Sequence, residues 1–378
     1  MMIRKVYHDF LLAKLKQEGV GWLARRARQY LLMHLSPLAG RALCGPVHGS
    51  LMVTRRCNCD CTMCDIPSKR RESDGTGGEE LDTARFKEII GEFARLGTPG
   101  LGFTGGEPLL RPDIYELLAC SRHNGMITHL NTNGYFLDDA AVRHIVDAGV
   151  ESVNISLDGA SPATHDRIRN CGGAFERATA AVGRLHRLRR ERGVPLRIKM
   201  VAVLGEANID EAGELAELSR ELGADCIEFI PCQPLTGDGS DKTTMPHESF
   251  LEKVDRLADY LLAMGRERGM VENSPAHLRL FRSSFAGVPS PVRCRAGYHS
   301  LSVDCHGDVF PCFPRMSWGR PAGNVRHGSL VDLWHSDEYQ THRDVASACR
   351  NCYLNCHLEL NLLFDHKARM GFRRGSER

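Results

Sequence analysis

Apolar positions change period along the chain, and those changes divide it. Over residues 1–46 they recur at helical spacing: Val6, Phe10 and Ala13 form one stripe, and Leu23, Ala27, Tyr30 and Leu31 another. From residue 50, short apolar runs alternate with amphipathic stretches. The runs 50–54, 100–103, 127–131, 152–157, 196–203 and 226–230 read as strands. Between the first two, Asp82 caps a helix whose apolar face is Phe86, Ile89, Ile90 and Phe93. Helices over 113–124, 138–148, 162–169 and 175–192 follow. Asn208 with Glu211 three residues later reads as a capping box for a helix running to Leu222. A long helix covers 247–268.

Six strand–helix units in a row imply a parallel sheet with right-handed crossovers. They are too few for a closed eightfold barrel, which leaves an open partial barrel or a doubly wound sheet. In either, the site lies at the carboxyl ends of the strands. The rhythm stops near residue 275. A Gly/Pro/Ser-rich linker over 286–292 leads to a hairpin, 298–304 with 308–312, turned by His306-Gly307. Short helices follow at 330–336 and 337–345. The expected organisation is a basic helical segment over 1–46, a barrel-like domain over 47–275, a small Cys-rich α+β domain over 276–365 and a basic tail over 366–378. The third of these is poor in continuous core, so a metal centre would supply its stability.

Composition narrows the class. Hydrophobic residues make up 42% and charged residues 25%, which suits a globular chain and excludes disorder and coiled-coil rods. The net charge is only +2, from 49 basic and 47 acidic residues, so no field points to nucleic acid. No uncharged run is long enough to cross a bilayer, and no signal peptide is visible, so a cytoplasmic setting is expected. The basic bias is local: eight Lys or Arg face two acids within 1–46. That segment reads as a helical pair packed on the main domain or as an amphipathic segment on a membrane surface. The chain holds 15 Cys, which in a reducing compartment points to metal or redox chemistry. Cys57, Cys59, Cys61 and Cys64 form one cluster and Cys349, Cys352 and Cys356 a second, preceded by Cys294, Cys305 and Cys312. Cys44, Cys120, Cys171, Cys226 and Cys232 are scattered and read as small buried hydrophobes.

Cys57, Cys61 and Cys64 make a C-x3-C-x2-C loop after the first strand. Three thiolates on one loop suit a [4Fe–4S] cube and leave its fourth iron open. An open metal position marks chemistry more than structure. Cys59 is expected to be a bystander facing away from the cube. With Gly105-Gly106-Glu107-Pro108, Asn131-Thr132-Asn133-Gly134 and Ile155-Ser156-Leu157-Asp158-Gly159 following in order, residues 50–235 resemble the radical S-adenosylmethionine (SAM) superfamily.

That resemblance implies an α/β fold, a partial (β/α)6 TIM-like barrel. It implies SAM chelated on the open iron, reductive cleavage to a 5′-deoxyadenosyl radical, and hydrogen abstraction from a substrate. It puts Gly105, Gly106 and Glu107 on the SAM ammonium. Asn133, Ser156 and Asp158 become ribose or carboxylate contacts, with plain turns as the alternative for Asn133-Gly134 and Asp158-Gly159. One departure is Met63, where the family usually has an aromatic residue.

The later thiols, with Gly323-Asn324-Val325 and 330–334 between them, resemble the auxiliary-cluster extension called SPASM, or its shorter form, twitch. This implies one auxiliary [4Fe–4S] cluster. Cys294, Cys312, Cys349 and Cys352 follow the short form most directly, Cys356 is able to replace one of them, and Cys305 is a sixth thiol. Structural zinc is the alternative. The implied activity is that of an oxidoreductase or maturase acting on a peptide or small molecule, or on a lipid-linked one. It would be reduced by a partner such as flavodoxin or ferredoxin. A non-enzymatic electron-transfer scaffold with closed clusters is the competing class. His165-Asp166 is weighed as an acid/base pair against a surface helix contact, and Arg167, Arg169 and Arg177 read as solvated helix charges, with contact to an anionic group of SAM or substrate as the alternative.

Overall fold

The computed structural model describes residues 19–66, 79–232 and 247–365. The first helical stripe of residues 1–18, most of the polar loop after the Cys cluster, and the basic tail lie outside the described residues. Six parallel strands form as the periodicity predicts: β1 (His48–Met52), β2 (Gly100–Thr104), β3 (Ile127–Thr132), β4 (Ser152–Ser156), β5 (Arg197–Leu204) and β6 (Cys226–Pro231). They lie in sequence order, and the helices between them pack on one face. These are α2 (Thr83–Arg95), α3 (Ile114–His123), α4 (Asp139–Asp147), α5 (Pro162–Arg169), α6 (Ala174–Arg192) and α7 (Ala212–Glu221). Asp82 caps α2 as expected, its side chain accepting from the Arg85 amide at 2.7 Å.

The sheet does not end at the sixth unit. β7 (Ser300–Val303) pairs in parallel with β1, and β8 (Val309–Phe310) pairs antiparallel with β7. The carboxyl-terminal hairpin therefore extends the barrel sheet at its first strand. A continuous core follows, running from Phe86, Phe103 and Leu130 to Leu301, Val303, Trp334 and Tyr339. The expected poverty of core in this region is thereby corrected: its apolar residues bury against the barrel and not among themselves. Arg343 in α13 (Asp337–Ala348) locks the junction. It donates to the carbonyls of Gly297 and Trp334 at 2.8 and 2.5 Å and lies 4.5 Å over the Trp334 and Tyr339 rings.

Two local expectations fail. In α1 (Val20–Leu35) the buried residues are Trp22, Gln29 and Met33, while Leu23, Tyr30 and Leu31 are exposed. Helical period identifies a stripe, but the docked side here is a different one: Trp22 and Met33 are buried, Gln29 donates to the Gly45 carbonyl at 3.1 Å and Arg26 to Gly97 at 3.0 Å. Asn208 and Glu211 form no capping box. Asn208 donates to the carbonyls of Asp158 and Val203 at 2.6 and 2.8 Å. Glu211 accepts from the Ala160 amide and the Thr164 hydroxyl. Both residues brace the loop after β4 against β5.

Opposite the helices, the sheet carries a polar face. Register aligns Ser50, Gly102, His129, Ser152 and Arg197, then Asn131, Asn154 and Lys199, then Ser156, Val201 and Glu228. Its amino-terminal floor holds stacked histidines, His48 over His129 at 5.6 Å and His299 over His357 at 6.0 Å. Burial holds His48 and His299 down to about 4 and His129 to about 3. Unfolded, these rings titrate near 6.5, so between 6.5 and 4 the unfolded chain binds more protons. Their stabilisation is complete above pH 6.5 and is lost as pH falls toward 4. Thermal midpoints should already drop as pH falls from 6.5 to about 5.5, before most carboxylates begin to titrate; a flat profile over that interval would refute the neutral histidine floor.

Candidate active site

The Cys loop leaves β1 through Val53 and Thr54 and folds back on the loop after β2. The Gly106 amide donates to the Thr54 carbonyl and the Glu107 amide to that of Arg56, both at 2.8 Å. A Cβ on Gly105 would stand 2.5 Å from the Thr54 oxygen, and one on Gly106 2.3 Å from that of Arg56. Only glycine permits this approach. Both glycines are thus required first by the cluster loop, whatever they contribute to a ligand.

Glu107 is fully buried. It accepts from the Thr132 hydroxyl and the Asn133 amide at 2.8 Å and from the Leu109 amide at 3.1 Å. Burial pushes its carboxyl up, against those hydrogen bonds. Asn133 donates to the Asn58 side chain at 2.8 Å and toward the Cys59 sulfur at 3.6 Å. Three consecutive strand-end loops are thereby stitched around the Cys motif. Ser156 ends β4 on the polar face, and its hydroxyl has no side-chain hydrogen-bond partner among the described residues.

Asp158 departs from its expected role as a ligand contact. It is fully buried and accepts from the Val203 amide at 2.8 Å. Its other oxygen holds the Arg169 Nε at 2.6 Å. Arg169, read from sequence as a solvated helix charge, is largely buried and points Nη1 at the Cys61 sulfur, 3.8 Å away. Sequence reasoning missed this because the partners lie far apart in the chain. The one local signal is Asn170, whose left-handed φ of 45° ends α5 abruptly and turns it onto the Cys loop. His165 is also buried, with burial holding it down to about 4; it accepts from the Asp158 amide at 2.9 Å. Asp166 caps α6 through Gly173 and Phe175. The two form no acid/base pair.

Cys59 does not face away. The loop turns tightly, its amide 3.5 Å from the Cys57 sulfur, and its thiol, 3% exposed, donates toward both Cys57 and Cys61. That contact holds the Cys57 thiol down. It does the same for Cys61, to about 6, with Arg169 adding to it. Cys64 is pushed up by burial to about 11 beside Met52, Ile66, Phe310, Phe313 and Met316. Cys171, scattered in sequence, meets Asn58 and the Cys59 thiol.

Cys294, Cys312 and the pair Cys349 and Cys352 converge from three segments, near enough to perturb one another, around Ala296 and Ala346. Burial pushes Cys294, Cys312 and Cys352 up, so these thiols become ligands only when a metal centre deprotonates them. Four thiols in an apolar pocket fit an iron–sulfur cube. Cys356 does not join this group closely: it is exposed in α14 (Asn355–Phe364), with Glu228 and Lys199 beside it as well as Cys352. Cys305 lies elsewhere, near Asp304, Glu80 and Arg55. Among the described residues, no three His, Cys, Asp or Glu side chains are placed to hold a single metal ion.

Comparison with known proteins agrees with this geometry. Residues 51–218 match the radical SAM superfamily, and residues 294–353 match the iron–sulfur cluster-binding domain SPASM. The chain carries a radical SAM domain followed by a SPASM domain, and with them SAM and [4Fe–4S] clusters as its cofactors. It is 29% identical over 304 residues to the AdoMet-dependent heme synthase of Methanosarcina barkeri, covering 76% of this chain and 81% of that protein. It is 28% identical over 316 residues to the PqqA peptide cyclase of Rhizobium meliloti, covering 79% and 77%. The fold is shared with Streptococcus suis SuiB bound to its precursor peptide SuiA. That match has a TM-score of 0.64 at 15% identity, covering 96% of this chain and 87% of the other.

Arg169 has a consequence that spectroscopy reads. A cationic donor at a ligand sulfur favours the reduced cluster. Arg169→Met should lower the midpoint potential of the first cluster, measured by EPR-monitored titration, while Arg169→Lys should restore much of it. An unchanged potential in Arg169→Met would remove the guanidinium from the cluster's surroundings.

Proposed function

We propose that this radical SAM enzyme takes hydrogen from a peptide or polar small molecule held against the helix-free face of its sheet. The net reaction would be of the maturase or dehydrogenase type, with a single auxiliary cluster assisting. The observation that carries the reading is the placement of the C-x3-C-x2-C loop at the carboxyl edge of that polar face, clamped by Gly105–Glu107. When bound there, the cluster and SAM supply a 5′-deoxyadenosyl radical. The chain's own residues do the rest. Cys57, Cys61 and Cys64 would hold the first cube. Gly105–Glu107 and Asn133 fix the loops around it, and the free Ser156 hydroxyl faces the ligand side.

The face itself suggests the substrate's chemistry. Lys199 and Glu228 pair at 2.5 Å, Asn154 donates to Asn131 at 2.8 Å, and Asn355 engages Glu228. Such a surface suits charged and amide groups and offers no bed for a lipid tail. Among the relatives, one is named a peptide cyclase and another a heme synthase, which supports the reading that the polar face and not the frame would select the substrate. A one-electron donor such as flavodoxin or ferredoxin fits a chain none of whose 15 Cys forms a disulfide.

The test begins with anaerobically reconstituted protein. About eight irons are expected for two cubes. With SAM and dithionite it should form 5′-deoxyadenosine; Cys61→Ala should abolish this and Cys59→Ala should retain it. Iron without deoxyadenosine, with a known radical SAM enzyme active in the same assay, would sink the reading. Once a substrate is found, exchanging the pair together, Lys199→Met with Glu228→Gln, should raise its KM by about tenfold or more, the value of about one charged hydrogen bond, and leave SAM cleavage without substrate unchanged. An unaltered KM would place the substrate elsewhere.

A further inference from the structure

The outward side of α1 is apolar. Val20 is 75% exposed, Leu31 58% and Leu38, just past the helix, 84%; Leu23 and Leu35 extend the same stripe. The face turned to the protein buries Trp22 and Met33 and carries the polar anchors Gln29 and Arg26. The helix is therefore apolar on its outward side as well, which a surface helix usually is not. Arg25, Arg28 and Arg41 border the stripe, all exposed, and none pairs with a carboxylate among the described residues. Residues 19–41 contain no Asp or Glu at all.

We propose that α1 docks this protein on an anionic membrane surface. The stripe would enter the headgroup boundary, and the arginines would meet lipid phosphates. Charge favours this occupant over the others. Residues 1–18 are themselves basic, with Arg4, Lys5, Lys14 and Lys16 against Asp9 and Glu18, so they repel α1 and complement the same acidic surface. A second copy docked symmetrically would bring Arg25 and Arg28 toward their own counterparts.

The placement sets the consequence. α1 is tied to Gly45, Pro46 and Gly97, just ahead of the amino ends of β1 and β2. The Cys loop leaves the opposite end of β1, five residues or roughly 17 Å along the sheet. A membrane-bound α1 therefore holds the enzyme with its site directed away from the lipid. The helix recruits the enzyme and does not feed it a lipid substrate.

Sedimentation of the full-length, cluster-loaded protein with lipid vesicles tests this. Binding is expected to vesicles containing phosphatidylglycerol, not to pure phosphatidylcholine, and it should weaken with salt. Leu23→Asp with Leu31→Asp should reduce it by about tenfold or more, and Arg25→Gln or Arg28→Gln by about fivefold each. These residues are exposed, so iron content and deoxyadenosine formation should not change. Absence of binding, equal binding to both vesicle types, or binding indifferent to the leucine pair would overturn the proposal. So would a dimer in solution that the leucine pair dissociates, which assigns the face to a second copy. If wild-type protein ignores vesicles and the pair exposes residues 1–18 to trypsin, that segment is the occupant and the proposal fails.

Discussion

Two loops can approach each other at backbone distance only where side chains are absent, and in this protein that approach organises the rest of the site. Gly106 and Glu107 donate to carbonyls of the Cys loop at 2.8 Å, leaving no room for a Cβ. The contact drags Glu107 into full burial. A buried carboxylate must be hydrogen-bonded, and Thr132 and Asn133 answer that requirement from the next strand. Asn133 then returns to Asn58 inside the Cys loop. Position is passed around a closed ring of three loops, so the spacing of the cysteines depends on hydrogen bonds that involve no cysteine. The fourth strand contributes from below, through Asp158 and Arg169 to Cys61.

The carboxyl-terminal region shares this dependence. Because β7 pairs with β1, the strand that launches the Cys loop also carries the hairpin leading to Cys312. Arg55 in the loop meets Asp304 in the hairpin turn at 3.1 Å, and Cys64 packs with Phe310, Phe313 and Met316. Trp334 donates to the Cys44 carbonyl, tying in the segment before β1. The two thiol groups are therefore held by one sheet and one core, not by a hinge. A rigid path of this kind suits two redox centres that exchange electrons or share a substrate.

Much of this frame was legible in the sequence. Alternating strands and helices located all six units, and the order of Cys57, Cys61 and Cys64 with Gly105-Gly106-Glu107 pointed to two strand-end loops that the fold brings together. The hairpin turned at His306-Gly307 was also legible, though not its pairing with β1. What escaped shares one physical cause. Period reveals that a helix has an apolar stripe, but not which side meets the protein; in α1 it is the side of Trp22, Gln29 and Met33. Asn208 resembled a cap because cap and brace use the same side-chain oxygen and amide, and only the fold brings Asp158 within 2.6 Å. Arg169 was misjudged for the same reason: its partners are set by loops packed in three dimensions. Burial of Asp158 likewise has no trace in its own neighbourhood.

The division between frame and face also bears on substrate choice. Helix-side residues of β3, β4 and β5 are apolar and fully buried in the main, so their substitution costs stability. The opposite face is held by pairs that satisfy one another: Lys199 with Glu228, Asn131 with Asn154. Such pairs are replaceable as units without disturbing the core, since breaking one partner is costly while exchanging both is nearly neutral. A parallel sheet with one polar face can therefore keep its cluster geometry and change what it binds.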